Sequence, residues 1–121
     1  MASRKIEDLI PEMQELARAF QQAMADNAVE FIFTCTTRTQ EEQEALYAQG
    51  RTKPGRFVTW TLKSKHIEGK AFDIAIIENG KITWSESAYI VAGTIGEEIG
   101  LRWGGRFKNP DRPHFELKEA R

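Results

Sequence analysis

The segment Ala71-Phe72-Asp73-Ile74-Ala75-Ile76-Ile77 constrains the architecture more than any other stretch of the chain. Side chains alternate across a strand, so Phe72, Ile74 and Ile76 share one apolar face, while Ala71, Asp73 and Ala75 share the other. The first face has to be covered by a core. The second carries one carboxylate between two small side chains, which leaves room for an ion and a water. Asn79-Gly80 follows, a dipeptide suited to a tight hairpin turn, so the strand is expected to return through Lys81 to Trp84. A sheet that starts this way is antiparallel.

Helical patterns supply the cover. Ile10, Met13, Leu16, Ala17, Phe20, Ala23 and Met24 follow helical spacing, and Pro11 is tolerated in a first turn, which predicts a helix from about Ile10 to Asp26. Glu30 to Thr36 is a short β-branched and aromatic run, read as a strand. Thr39 and Glu42 form a capping-box pattern that opens a second helix through Leu46 and Tyr47, ending at Gly50. Ser85 or Ser87 caps a third helix running to about Ile99 and stopped by Gly100. Leu101 to Trp103 and His114 to Leu117 complete the sheet. Arg51 to Lys63 has no period and reads as a long loop. The expected fold is α+β: a small antiparallel sheet with helices packed on one face and the other face open.

The chain of 121 residues is one domain's worth, so residues 1–121 are expected to form a single domain. A net charge of -1 argues against partners such as nucleic acid or an anionic membrane. One cysteine, Cys35, excludes an internal disulfide framework and a cysteine-rich structural zinc site. No stretch approaches the ~20 apolar residues of a membrane span. The N-terminal residues lack the apolar run of a secretory signal, so synthesis as a cytoplasmic chain is expected.

Only two histidines are present, and each sits in a compact polar motif. The first is Ser64-Lys65-His66-Ile67-Glu68-Gly69-Lys70-Ala71-Phe72-Asp73, and the second Asp111-Arg112-Pro113-His114-Phe115-Glu116. If the strand at His114 neighbours the strand at Ala71, Asp73 and His114 meet on the open face. His66 would enter from the preceding turn, with Gly69 giving the backbone its freedom. Two imidazoles and a carboxylate match a catalytic zinc with a fourth position open, although this donor set does not exclude other divalent metals. Asp111, held between Pro110 and Pro113, could serve as the general base.

The Ser-x-His-x-x-Gly-x-Ala-x-Asp run and the Asp-x-x-His-Phe-Glu ending resemble the zinc peptidases that cut peptidoglycan stem peptides, the M15 family. Thr37-Arg38-Thr39, Glu42-Gln43-x-x-Leu46-Tyr47-Ala48-Gln49-Gly50-Arg51-Thr52 and Gly100-Leu101-x-Trp103-Gly104-Gly105 extend the likeness to roughly residues 6 to 117. The resemblance implies one Zn2+ per chain held by His66, Asp73 and His114, with Asp111 as catalytic base. It implies that Arg38 contacts substrate, binding a carboxylate or the developing oxyanion. Ser64 is expected to brace the His66 turn or bind substrate, and Glu116 to support His114 rather than ligate.

Aspartate at 111, where the dipeptidase branch has glutamate, points to the L-alanyl-D-glutamate peptidases of phage endolysins. Thr37-Arg38-Thr39 departs from the more usual Tyr-Arg-Ser. The implied substrate is the bacterial stem peptide, cut by a monomer that reaches the wall with holin assistance. A D-alanyl-D-alanine carboxypeptidase and a non-catalytic, zinc-stabilised wall-binding or phage structural module are the rival readings. Cys35 is expected on the core face with Phe31 and Phe33, as a buried inert thiol. Trp60 and Trp103 suit either a cleft wall or the core.

Overall fold

The computed structural model describes residues 2–59 and 62–119. A 3-10 turn at Ile6–Asp8 leads into α1, Pro11–Asp26, then β1, Glu30–Cys35, and α2, Gln40–Ala48. The long loop delivers the chain to β2, Ala71–Glu78, which turns into β3, Lys81–Thr83. Helix α3, Glu86–Glu98, β4, Leu101–Trp103, a second 3-10 turn at Gly104–Arg106 and β5, His114–Leu117, complete the order. The five strands form one antiparallel sheet in the order β1-β2-β5-β4, with β3 pairing the far end of β2.

Local signals act where the sequence placed them. Thr39 accepts a hydrogen bond from the Glu42 amide at 3.0 Å, and Glu42 accepts one from the Thr39 amide at 2.8 Å, closing both halves of a capping box. Ser85 rather than Ser87 caps α3. Asn79 and Gly80 take φ of 54° and 76°, the positive pair that a two-residue hairpin turn requires.

Helices α1 and α3 cover the apolar face of the sheet. Helix α1 buries Met13, Ala17, Phe20 and Met24. The Phe20 ring lies 4.8 to 5.3 Å from the rings of Phe31, Phe72 and Phe115, tying helix to β1, β2 and β5. Helix α3 approaches the sheet side through glycines. A Cβ at Gly93 would lie 2.2 Å from the Trp103 ring, and one at Gly96 2.6 Å from Phe115. Trp103 is 4% exposed and belongs to this core, which decides between its two expected roles. Trp60 lies outside the described residues.

The remaining helix takes a different position. Its one buried residue is Gln43, and it flanks the open face of the sheet beside the loop. Arg51 organises that loop, its guanidinium lying 3.8 Å from the Tyr47 ring centre and 4.3 Å from that of Phe57. It also donates to the carbonyls of Tyr47 and Thr59 at 2.7 and 3.0 Å. Among the described residues, no helix is long and apolar enough to cross a membrane.

Candidate metal centre

Pairing of β2 with β5 sets the site. The register matches Asp73 with His114, Phe72 with Phe115 and Ala71 with Glu116, so the pairs alternate between open face and core. His66 arrives from the turn before β2. Gly69 holds that turn at φ 71°, and its carbonyl accepts the Ile10 amide at 3.1 Å. Ser64 Oγ accepts the His66 amide at 3.2 Å, so this serine braces the turn while also lining the cleft. His66 Nε2 and His114 Nδ1 both face Asp73 Oδ1, at 3.1 and 2.9 Å.

The outward nitrogen of each ring is engaged elsewhere. His66 Nδ1 donates to the Thr36 carbonyl at 3.1 Å, and His114 Nε2 donates to Glu116 Oε1 at 2.8 Å. Such partners fix the tautomer and leave the inward nitrogen free to bind a metal. Glu116 therefore supports His114, as expected, and Arg102 pairs with its other oxygen at 3.4 Å.

The charge balance describes what the centre is built to hold. Burial, the largest single influence, disfavours the charged form of both imidazoles, but the hydrogen bond and charge of Asp73, together with Cys35 at His66 and Glu116 at His114, outweigh it in sum. The metal-free rings are thereby raised to about 10 and about 9. Burial also acts against the Asp73 carboxylate, yet hydrogen bonds from His114 and His66 hold it well below the usual carboxylate range. Two protons thus stand around one carboxylate, and a divalent cation would supply the same charge with nitrogen and oxygen donors already converging. Donor atoms of Asp73, Asp111 and His114, and of Cys35, His66 and Asp73, lie within 4.8 Å of one another in two overlapping groups that share Asp73.

Asp111 is carried by the loop before β5. Its amide donates to the Gly104 carbonyl at 2.8 Å, its carbonyl accepts the His114 amide at 3.1 Å, and the neighbouring Arg112 carbonyl accepts Trp103 Nε1 at 2.8 Å. The residue is solvent-exposed, but its carboxyl borders the cleft. Desolvation there, then the charge of Asp73, raises it above the usual carboxylate range. Gly104 makes the approach possible, since a Cβ at this position would lie 2.3 Å from the Asp111 carbonyl oxygen and 3.0 Å from His114 Cβ. Gly104→Ala is expected to shift the whole loop, costing about 1–3 kcal/mol of stability and weakening metal binding. Thermal melts and a metal titration of the variant check this.

These groups line a cleft of about 820 Å3 with Arg38 on its α2 side. Arg38 donates to Gln43 Oε1 at 2.7 Å and to Cys35 Sγ at 3.5 Å. The cysteine corrects one expectation. The register of β1 shifts between Phe33 and Cys35, pairing Phe33 with Ile74 but Cys35 with Asp73. This bulge rotates Cys35 off the core face and onto the site face, where its sulfur lies 3.5 Å from His66 Nδ1. It is buried, as expected, but beside the candidate metal ligands His66 and Asp73.

Gln43 was not singled out by sequence reasoning. Its spacing of three and four from Leu46 and Tyr47, which puts an amide on the inward side of α2, is the signal that could have found it.

The chain resembles known proteins over nearly its whole length. A family model described as D-alanyl-D-alanine carboxypeptidase, Peptidase_M15_4, matches residues 58–117. The chain is 33% identical to the peptidoglycan L-alanyl-D-glutamate endopeptidase CwlK of Bacillus subtilis (strain 168), over 91% of this chain and 74% of that protein. The chain belongs to the M15 peptidase family. A second M15 relative, the L-alanyl-D-glutamate peptidase of Escherichia phage T5, is 30% identical over 98% of this chain and 87% of its own. The fold matches the crystal structure of the Serratia marcescens L-Ala D-Glu endopeptidase ChiX, with a TM-score of 0.76, 23% identity, and coverage of 98% of this chain and 89% of that one. The M15 assignment makes the chain a metallopeptidase, and the two groups of side chains in the structure that could hold a metal ion share Asp73.

Proposed function

We propose that this M15 chain is a zinc peptidase that cuts the peptidoglycan stem peptide at the bond between L-Ala and D-Glu. His66, Asp73 and His114 hold the metal, and Asp111 handles the proton. The observation that carries the metal assignment is the convergence of His66 Nε2 and His114 Nδ1 on one oxygen of Asp73, each ring locked by a second partner. A bound Zn2+ would supply Lewis acidity for the scissile carbonyl and for the attacking water.

The chain's own residues do the rest. Asp111, with its carboxyl raised and close to both Asp73 and His114, accepts the proton of the attacking water and passes it to the departing amine. Arg38, across the cleft, offers a positive charge to a substrate carboxylate or to the developing oxyanion. Ser64 at the rim adds a hydroxyl to the substrate side while holding the His66 turn. The choice of bond rests on the activities named for the two relatives, which align with nearly the whole chain. We take the active unit to be a monomer formed by one domain over residues 1–121. Its role is that of an endolysin, made in the cytoplasm and admitted to the wall by a holin.

A second reading, removal of terminal D-Ala by a carboxypeptidase, is favoured by the description of the matching family model. Digestion of defined muropeptides, followed by mass spectrometry, separates the two. The expected products are a glycan-linked L-Ala and a peptide beginning with D-Glu, formed only without chelator. Release of D-Ala from a stem whose L-Ala–D-Glu bond stays intact would reverse the assignment.

A further inference from the structure

We propose that Gln43 is a positioning residue that holds the Arg38 guanidinium in the cleft while leaving its positive charge uncompensated for an anionic group of the substrate. The inference rests on the stem-peptide reading given above. Gln43 is 1% exposed, which is unusual for a long amide side chain on a nine-residue helix at the protein surface. Burying an amide is unfavourable unless both of its ends are satisfied, and here both are. Its oxygen accepts from Arg38 Nη1 at 2.7 Å, and its nitrogen donates to Thr59 Oγ1 at 3.4 Å. The guanidinium can only donate, so the amide cannot turn over, and its oxygen stays aimed at Arg38 while its nitrogen donates to the hydroxyl.

The chemistry of the partner matters as much as its position. A partly buried arginine such as Arg38 is ordinarily met by a carboxylate, in a paired and often bidentate contact. Arg38 is met instead by an amide oxygen and, at 3.5 Å, by the sulfur of Cys35. No ion pair to Arg38 occurs among the described residues. Both acceptors are neutral, so the side chain is oriented without a direct ion pair, and the charge of Asp111 acts on it only through space. The Arg38 backbone is anchored to the centre as well, its amide donating to the His66 carbonyl at 3.3 Å. An arginine fixed at two levels and left charged beside a metal centre suits a carboxylate ligand or an oxyanion.

Gln43→Glu tests this directly, because it keeps size and shape and adds one negative charge at the acceptor. Kinetics on a defined muropeptide are compared for the unsubstituted protein, Gln43→Glu, Arg38→Ala and the double variant, with zinc content and melting temperature measured for each. Gln43→Glu is expected to lower kcat/KM about tenfold or more while metal content and melting temperature stay near those of the parent. In the Arg38→Ala background the same change is expected to have no further effect. Gln43→Met, which removes the acceptor without adding charge, gives the same coupling if the glutamate variant folds poorly.

Unchanged kinetics in Gln43→Glu, or an equal loss with and without Arg38, would remove the inference while leaving the peptidase reading in place. Failure of the unsubstituted protein to cut the L-Ala–D-Glu bond would bring down that reading, and the inference with it.

Discussion

Asp111→Asn is expected to reduce muropeptide turnover by about 10²–10⁴-fold, the range that a positioned acid-base group contributes. Zinc content should be unchanged. The amide keeps the shape of the side chain and cannot accept the proton, so the substitution isolates basicity from structure. Loop position should survive, because Asp111 is held by its backbone: the amide bonds to Gly104 and the carbonyl to the His114 amide. Metal analysis and a melting curve establish that the variant is folded and loaded, and steady-state kinetics then read the loss. Full activity in the variant would assign the proton transfer to another group. It would also revive the reading of a zinc-stabilised module if the parent showed no turnover either.

Metal removal gives the second large effect, and its pH dependence has a definite sign. In the metal-free protein His66 and His114 are raised to about 10 and about 9, against about 6.5 for an ordinary histidine. Their contribution to stability is complete below about pH 6.5 and is lost as pH climbs toward 9 and 10. Asp73 is depressed, so its contribution is present above the ordinary carboxylate range and is lost on acidification. The stripped protein should therefore be most stable at mildly acidic pH.

The loaded protein should behave oppositely, because the metal has to displace those two protons. Zinc affinity is expected to rise by up to about 100-fold per pH unit between pH 6 and 7.5, with close to two protons released per ion. Calorimetry in buffers of different ionisation enthalpy counts the protons. Melting curves with and without chelator should diverge as pH rises, by about 2.7 kcal/mol where free zinc stands at a hundred times its Kd. Curves that stay parallel across this range would mean that the imidazoles are not the ligands.

The parts of the fold that were legible in the sequence share a physical property: each is decided within a few residues. The Thr39–Glu42 box, the Asn79-Gly80 turn, Pro11 in a first turn and the two-residue alternation of β2 depend on local backbone geometry, so local pattern suffices. The convergence of the candidate donors was legible for the same reason. Its motifs keep His66 seven residues before Asp73 and Asp111 three before His114, and alternation along β2 and β5 sends Asp73, His114 and Glu116 to one face. Where alternation was interrupted, the reading failed. One extra residue in β1 turned Cys35 from the core to the candidate site beside His66, and no pattern in Glu30-Phe31-Ile32-Phe33-Thr34-Cys35 announces a bulge.

By itself, then, the sequence determined the elements, the apolar face and the identity of the groups on the open face, because side-chain alternation and capping are local rules. Tertiary structure decided which strands lie side by side and what surrounds the donors. Only the pairing of β2 with β5 brings Asp73 against His114, residues 41 apart in the chain. The loop after α2 folds back to bring Thr59 to Gln43, and a bulge hands Cys35 to His66. These contacts arise between segments that carry no local preference for one another and are selected by the burial of the shared core.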